Sequence, residues 1–441
     1  MKIRLFHTAA VAAALLTSLS AFADGGAGTD YSPYSKFGIG TLAHQGTSYN
    51  LGMGGVGIAG RDNRFLNILN PAAVTARDTL AFMADFSVAE NNAFYSQGDI
   101  KSAHNTFNIK NFAMSFPIWK SSAFMIGICP FSSVGYKVSS IEKNPEVIGN
   151  TGNISDVFEG TGDIYQLYLG AGVTFWKRLS IGAQFNYYFG NLEKYSSRTF
   201  ASSKYRSIYS GTQMTLQGFN GKFGLQYEQP IGKGKLIAGA TCRIPTTLIG
   251  SDVGAKYPNG KIDVLTTSVQ SDVVDTLVNK AVAMGAVSIP LEFAVGLSYR
   301  QGDKWSVEVN YTRSDWTKSN MDNVTGFSLN NFGSNVAQSF NAGFEIVPNR
   351  SDIRYYLRRC AYRAGGYYST EYYNFKGNKV TSYGVTLGIT FPVFRWYNGV
   401  TLGFDFGRRG SMQSDMVLER YIGINASLNV FDIWFVKHRY E

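Results

Sequence analysis

The sequence predicts an all-β transmembrane antiparallel β-barrel of about fourteen strands with an N-terminal plug in its lumen. Three observations predict it. Past Asp78, apolar and aromatic residues alternate with small and polar ones at a period of two. The breaks between these stretches alternate between short and long. The segment ahead of the first such stretch follows neither rule. The chain divides accordingly into a signal peptide over 1–23, a hatch or plug over 24–78 and a barrel over 79–441.

The beginning of the chain reads as an export signal. Lys2 and Arg4 precede the apolar run Ala9 to Leu16 and the small-residue pattern Ala21-Phe22-Ala23, which marks cleavage after Ala23. No later segment has the roughly 18 uninterrupted apolar residues of a helical span. Export without helical spans, combined with long two-faced strands, points to a bacterial outer membrane.

The strands are expected at 79–89, 105–118, 121–139, 163–176, 179–195, 212–229, 233–249, 284–301, 304–318, 336–347, 357–371, 381–391, 396–408 and 419–434. Residues 180–190 carry the pattern most clearly. Ile181, Ala183, Phe185, Tyr187 and Phe189 share one face, and Ser180, Gly182, Gln184, Asn186 and Gly190 the other. An even strand count permits closure without a free edge. Forty-eight Gly, 27 Tyr and 31 Phe supply small lumen residues and interface aromatics.

Short connections fall at Trp119-Lys120, Trp176-Lys177, Pro230 to Lys233, Gln301 to Asp303, Pro348 to Arg350 and Pro392 to Phe394. Long ones fall at 90–104, 140–162, 196–211, 250–283, 319–335, 372–380 and 409–418. Short turns are periplasmic and long loops extracellular in such barrels, so both termini are expected in the periplasm. Val269 to Val282, in the longest loop, has apolar residues at helical spacing.

Charge avoids the apolar face. Lys222, Glu228, Glu292, Glu308, Arg363 and Asp405 fall on the lumen register, with Tyr168 and Tyr188 as lumen-facing aromatics. These charges either pair with one another and with a polypeptide filling the barrel, or line a solute route. The formal charge of +10 falls to +8 when Lys2 and Arg4 leave with the signal. The basic residues are scattered, which argues against a nucleic-acid partner. Cys129, Cys242 and Cys360, all in expected strands, form neither a disulfide scaffold nor a thiolate cluster by their spacing.

Residues 24–78 are rich in Gly, Asn and Ser. A tail, a separate periplasmic module and a plug all suit such a composition. The plug is preferred because about fourteen strands enclose a lumen wide enough to need filling. Polar backbone is tolerated at membrane depth when buried in protein. Nothing here has the context of a phosphate-binding loop. Only His44, His104 and His438 remain after cleavage, no G-x-S-x-G is present, and no metal-ligand spacing appears. The chain therefore reads as a non-enzyme without cofactors.

Specific motifs sharpen this. Ser35 to Gly40, Gly52 to Gly60 and Asn70-Pro71-Ala72 ahead of the first strand resemble the hatch of the FadL-type (FadL/TodX) outer-membrane transporters of hydrophobic compounds. So do Ile289-Pro290-Leu291 through Gly296, Lys304-Trp305 and Tyr311 to Trp316. The hatch style and the ending Trp434 to Lys437 resemble the Bacteroidetes branch, although Glu441 displaces the terminal aromatic.

The resemblance implies a fourteen-stranded monomer that moves long-chain fatty acids or other apolar solutes passively, with lateral exit into outer-membrane lipid. It also implies an inward kink in the third strand, where Pro130, flanked by Gly127 and Gly135, is the candidate opening. The alternative there is a bulge that only adjusts curvature. Phe37, Leu51, Met53, Val56 and Ile58 are candidates for touching ligand or for packing the hatch. Asn70, Pro71 and Ala72 are expected to hold the hatch against the first strand. Some relatives of the fold serve as accessory partners of secretion or envelope machinery, which is the second functional expectation.

Overall fold

The computed structural model of the protein describes residues 30–77, 81–119, 121–254 apart from 203 and 206, 281–282, 287–394 apart from 325, and 398–433. The signal peptide, Val269 to Lys280 and the C-terminal Trp434 to Glu441 lie outside the described residues. The last two residues of the stretch with helical spacing, Ala281–Val282, pair with Gly254 and Val253 as a strand.

Alternation of outward apolar and inward small or polar residues produces fourteen barrel strands. They are β1 (Ala81–Gln97), β2 (Ile100–Trp119), β3 (Ser122–Ile141), β4 (Ile154–Phe175), β5 (Leu179–Phe200), β6 (Ile208–Ile231) and β7 (Gly234–Arg243). The circle continues with β8 (Glu292–Gln301), β9 (Trp305–Asp315), β10 (Val336–Ile346), β11 (Ala361–Phe375), β12 (Asn378–Phe394), β13 (Asn398–Arg409) and β14 (Leu418–Ile433). Each strand pairs antiparallel with the next, and β14 pairs with β1 from Leu418↔Ser96 to Ile433↔Ala81, which closes the sheet. Closure pairs every strand with two neighbours, so that each has most of its backbone groups satisfied within the sheet.

Every expected strand is present, but several reach further than their apolar pattern. β4 and β5 have 22 residues each and β6 has 24. At about 3.3 Å per residue, such strands outrun a hydrocarbon layer of about 30 Å. They continue as paired sheet beyond it, where no lipid enforces an apolar face. Two expected long loops are tight turns for the same reason. β1 and β2 join through Gly98 (φ +56°) and Asp99, and β11 and β12 through Lys376 and Gly377 (φ 48° and 76°). Positive φ at Gly98, the first central position of one turn, and at both central positions of the other matches the twist of the flanking strands.

The opposite correction applies between β10 and β11. A short turn at Pro348 to Arg350 with a strand from 357 was expected. Instead β11 starts at Ala361, and Tyr356–Arg359 form a 3-10 turn. The Tyr356 hydroxyl donates to the Pro392 carbonyl and fixes that turn to the rim. Cys360 therefore caps the turn and is not in a strand. β7 and β8 are also shorter than expected. Pro245 and Pro290, facing each other across the ladder, lack the donors to continue it, and pairing resumes beyond them between Thr246–Gly254 and Val287–Ile289.

Residues 30–76 lie inside the barrel, held by strands around its circumference. Ser32 donates to Glu419 on β14, and the Gly54 amide to Thr386 on β12. The Ala59 amide donates to Glu308 on β9, and Asn70 to the Leu225 carbonyl on β6. At the long-loop end the lumen holds a continuous apolar core. Phe37 and Ile39 of the luminal segment meet Phe131, Ile164, Leu192 and Tyr372 of the wall, and Trp316, Met321 and Phe327 of the β9–β10 connection.

Candidate functional site

The site is built where β2 and β3 separate. Their pairing runs from Trp119↔Ser122 to Phe112↔Ile128 and stops there. Below the parting, residues 122–128 of β3 alternate between buried and half-buried, as one wall strand should. From Cys129 to Tyr136 every residue is buried. Both faces are then covered by protein, so the strand has turned into the lumen. β4 follows it, with a register shift between Pro130 and Ser132.

The luminal segment takes up the edge that β2 leaves. Thr41–Leu42 form a two-residue strand paired with Ser133 and Ser132. The Gln45 amide donates to the Pro130 carbonyl at 2.9 Å. Ser35 Oγ donates to the Gly135 carbonyl at 3.0 Å and accepts the Gly135 amide at 3.1 Å. Gly127 lies below the parting beside the Tyr168 hydroxyl, Pro130 just above it, and Gly135 against the backbone of Asp30.

Two cavities adjoin this region. The smaller, about 120 Å³, touches both parted strands through Asn108 and Lys110 of β2 and Pro130 and Ser133 of β3. Asp405 and Arg409 close its far side. The larger, about 230 Å³, has Phe131, Tyr168, Lys222, Arg243 and Glu292 on its walls, with Ile58, Ile68 and Leu69 contributed from the luminal segment. Leu42, Ala43, His44 and Leu51 border both.

The sequence-derived residues divide by role. Leu51 and Ile58 border cavity space, whereas Phe37, Met53 and Val56 are buried packing residues, Phe37 against Phe332 and Tyr372. Tyr168 donates to Asn111, Tyr188 to Asn220, and the Tyr188 ring meets Phe131 edge-on. Asp405 accepts from Tyr367 at 3.0 Å. Glu228 pairs with Lys235 at 2.8 Å, away from both cavities. Lys222 stands on the larger cavity near the Arg243–Glu292 ion pair (2.8 Å).

Asn70, Pro71 and Ala72 do not sit against the first strand. They fit a slot on β4, β5 and β6 made by Gly172, Gly182 and Gly224. A Cβ on Gly182 would stand 2.3 Å from the Pro71 carbonyl carbon, and one on Gly224 only 2.0 Å from Asn70 Oδ1. Asn70 caps the 3-10 turn Pro71–Thr75 by accepting the Ala72 amide, while its own amide donates to Ile58 at 2.7 Å. Only strands without side chains on that face can receive the turn.

Sequence reasoning missed the strongest anchor. Asp62 and Arg64 of the luminal segment pair with each other and with two wall residues, one of which is held by a third. Arg300 of β8 lies 2.8 Å from Asp62, Glu345 of β10 lies 2.6 Å from Arg64, and Arg363 of β11 lies 2.9 Å from Glu345. Arg363 also covers the Tyr49 ring at 4.3 Å. Burial opposes ionisation of Asp62, but Arg300 and Arg64 outweigh it and hold its carboxyl below the usual range. The available signal was an Asp-x-Arg in a segment otherwise dominated by Gly and Asn. Charges inside a lumen need partners.

A family model described as BamG matches residues 5–441. The chain belongs to the BamG family. No curated relative matches it. Solved structures similar to this BamG-family chain include a Pseudomonas aeruginosa FadL homologue, at 11% identity and TM-score 0.53, covering 89% of this chain and 99% of that one. The Pseudomonas putida toluene transporter TodX gives 12% identity and TM-score 0.52, over 91% and 100% of the two chains. The Ralstonia pickettii toluene transporter TbuX gives 14% and 0.51, over 87% and 97%. At these identities the likeness establishes a shared fold, the FadL/TodX-type barrel.

Proposed function

We propose that this BamG-family chain is a monomeric outer-membrane barrel that passes small hydrophobic compounds passively from its lumen into the membrane between β2 and β3. The observation that carries this reading is the parting of β2 from β3 beside a cavity lined by both strands. Residues 30–76 serve as the hatch, Gly127, Pro130 and Gly135 belong to the opening, and both termini face the periplasm. Apolar cargo gains about 0.8 kcal/mol per buried CH₂ on leaving water, so an apolar surface beside a wall exit needs no energy source.

Cavity size bears on cargo. A space of about 150 Å³ holds benzene, so the 230 Å³ cavity suits a single ring or short chain with one polar end facing Lys222 or Arg243. A long-chain fatty acid requires the hatch to move. The relatives described as toluene transporters support a hydrophobic cargo of the smaller kind.

Uptake of labelled toluene and labelled oleate into cells with and without the protein tests this. Gln45→Cys, placed beside the native Cys129, provides the lock. Uptake that depends on the protein, stops under oxidation of that variant and returns with reductant is expected. Equal uptake with and without the protein removes the transport reading.

A second reading, an accessory barrel for envelope machinery, is favoured by one observation. The long-loop end is closed by apolar core, and the hatch is tied to the wall by buried ion pairs. That reading expects unchanged uptake, together with a site-specific cross-link to another outer-membrane protein.

A further inference from the structure

The outward face of the barrel carries a second feature, unrelated to the lumen. On β13 the outward residues Val400, Leu402, Phe404 and Phe406 form an apolar stripe that ends at Arg408. On β14 the stripe Ile422, Ile424, Ala426, Leu428 and Val430 ends at Arg420. Both arginines face outward because their neighbours face in. Arg409 and Glu419 are buried and paired with each other, and Tyr421 packs under Gly407. From Arg420 to the outward Asp432 the strand rises about 40 Å. At the usual tilt this places Arg420 at the edge of an apolar band about 25 Å tall.

Arg408 and Arg420 are direct partners in the β13–β14 ladder. The row continues on both sides with exposed aromatics. Arg408 is opposite Tyr383, Tyr383 is opposite Tyr368, and Arg420 is opposite Phe94. Like charges directly opposite each other destabilise a sheet, with Cβ atoms only about 4.5–5.5 Å apart. Among the described residues neither arginine has a carboxylate partner. The nearby outward Glu90 is engaged by the amides of Asn92 and Asn105. Arg408 Nε is buried without an acceptor, and its guanidinium lies 6.0 Å from the Tyr383 ring.

We propose that Arg408 and Arg420 bind the phosphate of a phosphorylated lipid headgroup, with Tyr383 and Phe94 packing on the adjoining part of the lipid. Two planar guanidinium forks match the oxygens of one phosphate, and the anion removes the repulsion between them. Aromatic residues at the same height suit the boundary between headgroup and acyl chain. A free phosphate ion would satisfy the arginines but would give the flanking aromatics no role.

Native mass spectrometry of the full-length chain in mild detergent tests the site. The probes are a diphosphoryl acylated glycolipid, its dephosphorylated form and inorganic phosphate. The wild type is expected to retain the diphosphoryl lipid and not the dephosphorylated one, with excess inorganic phosphate failing to displace it. The double variant Arg408→Gln, Arg420→Gln should lose retention by about tenfold or more, the scale of charge-assisted hydrogen bonds. Its heat-shifted mobility on gels should remain that of a folded barrel. Arg313→Gln, an outward arginine at the same rim on β9, should leave retention unchanged. Equal retention by the wild type and a folded double variant overturns the proposal, as does full displacement by inorganic phosphate.

Discussion

Glu345 shows what one side chain does in this lumen. It is almost fully buried, receives Arg64 from the luminal segment and Arg363 from β11, and so ties two separate pieces of chain together. Glu345→Gln keeps the shape but leaves two buried guanidiniums short of a counter-charge. Breaking such a pair costs about 3–5 kcal/mol, and the variant should lose its heat-resistant gel mobility at a clearly lower temperature. Gly182 acts by absence. Gly182→Val fills the slot that receives Pro71, and an overpacking cost of about 1–3 kcal/mol is expected. Because that cost falls on the luminal segment, limited proteolysis should cut within 30–76 while the strands stay resistant.

At the scale of elements, two features have measurable consequences. The first is the upper part of β2, which pairs with β1 but has lost β3. Its amides over 101–109 should exchange with deuterium faster than those of 190–198 on β5, which has partners on both sides. Equal protection would mean that the parting closes in solution. The second is the ionic anchor of the luminal segment. The Asp62 carboxyl is held below its unfolded value, so its contribution is fully present above about pH 4 and is lost as pH falls below that. Protease access to residues 30–76 should therefore rise on acidification below about pH 4, and Asp62→Asn should show that access already at neutral pH.

These elements also show how far the sequence was legible. Ile181 to Phe189 against Ser180 to Gly190 specified both faces of β5, because lipid on one side and lumen on the other impose opposite chemistry on alternate residues. The ends of β4 to β6 were not legible, since beyond the membrane that contrast vanishes while hydrogen-bonded pairing continues. Pro130 drew attention to β3 as a residue that cannot donate. What it could not reveal is that β3 leaves β2 beyond Ile128 and pairs there with Thr41–Leu42, a contact between residues about ninety positions apart. Asn70-Pro71-Ala72 was legible as a motif, yet its receiving surface is a set of three glycines on three strands.

For the whole molecule, the proposed hatch role makes the luminal segment the difference between a sealed barrel and an open one. Fourteen strands enclose a lumen wide enough for a channel unless it is occupied. Deleting 30–76 removes Phe37 and Ile39 from the apolar core and both members of the Asp62–Arg64 pair. The deletion variant should still form a barrel by gel mobility, melt at lower temperature, and give large conductance steps in planar bilayers that the intact chain lacks. Absence of such steps would mean that the β9–β10 connection, through Trp316, Met321 and Phe327, closes the lumen by itself.

The sequence alone determined the membrane barrel, its strand count, the outward and inward faces, and the presence of a chemically distinct leading segment. Those properties arise from local periodicity, where each residue reports its own surroundings. Only the tertiary structure decided where the leading segment is anchored, which two strands part, which buried charges balance one another and which two arginines meet on the outer face. Each depends on residues distant in sequence converging on one place, and only closure of the sheet brings them together.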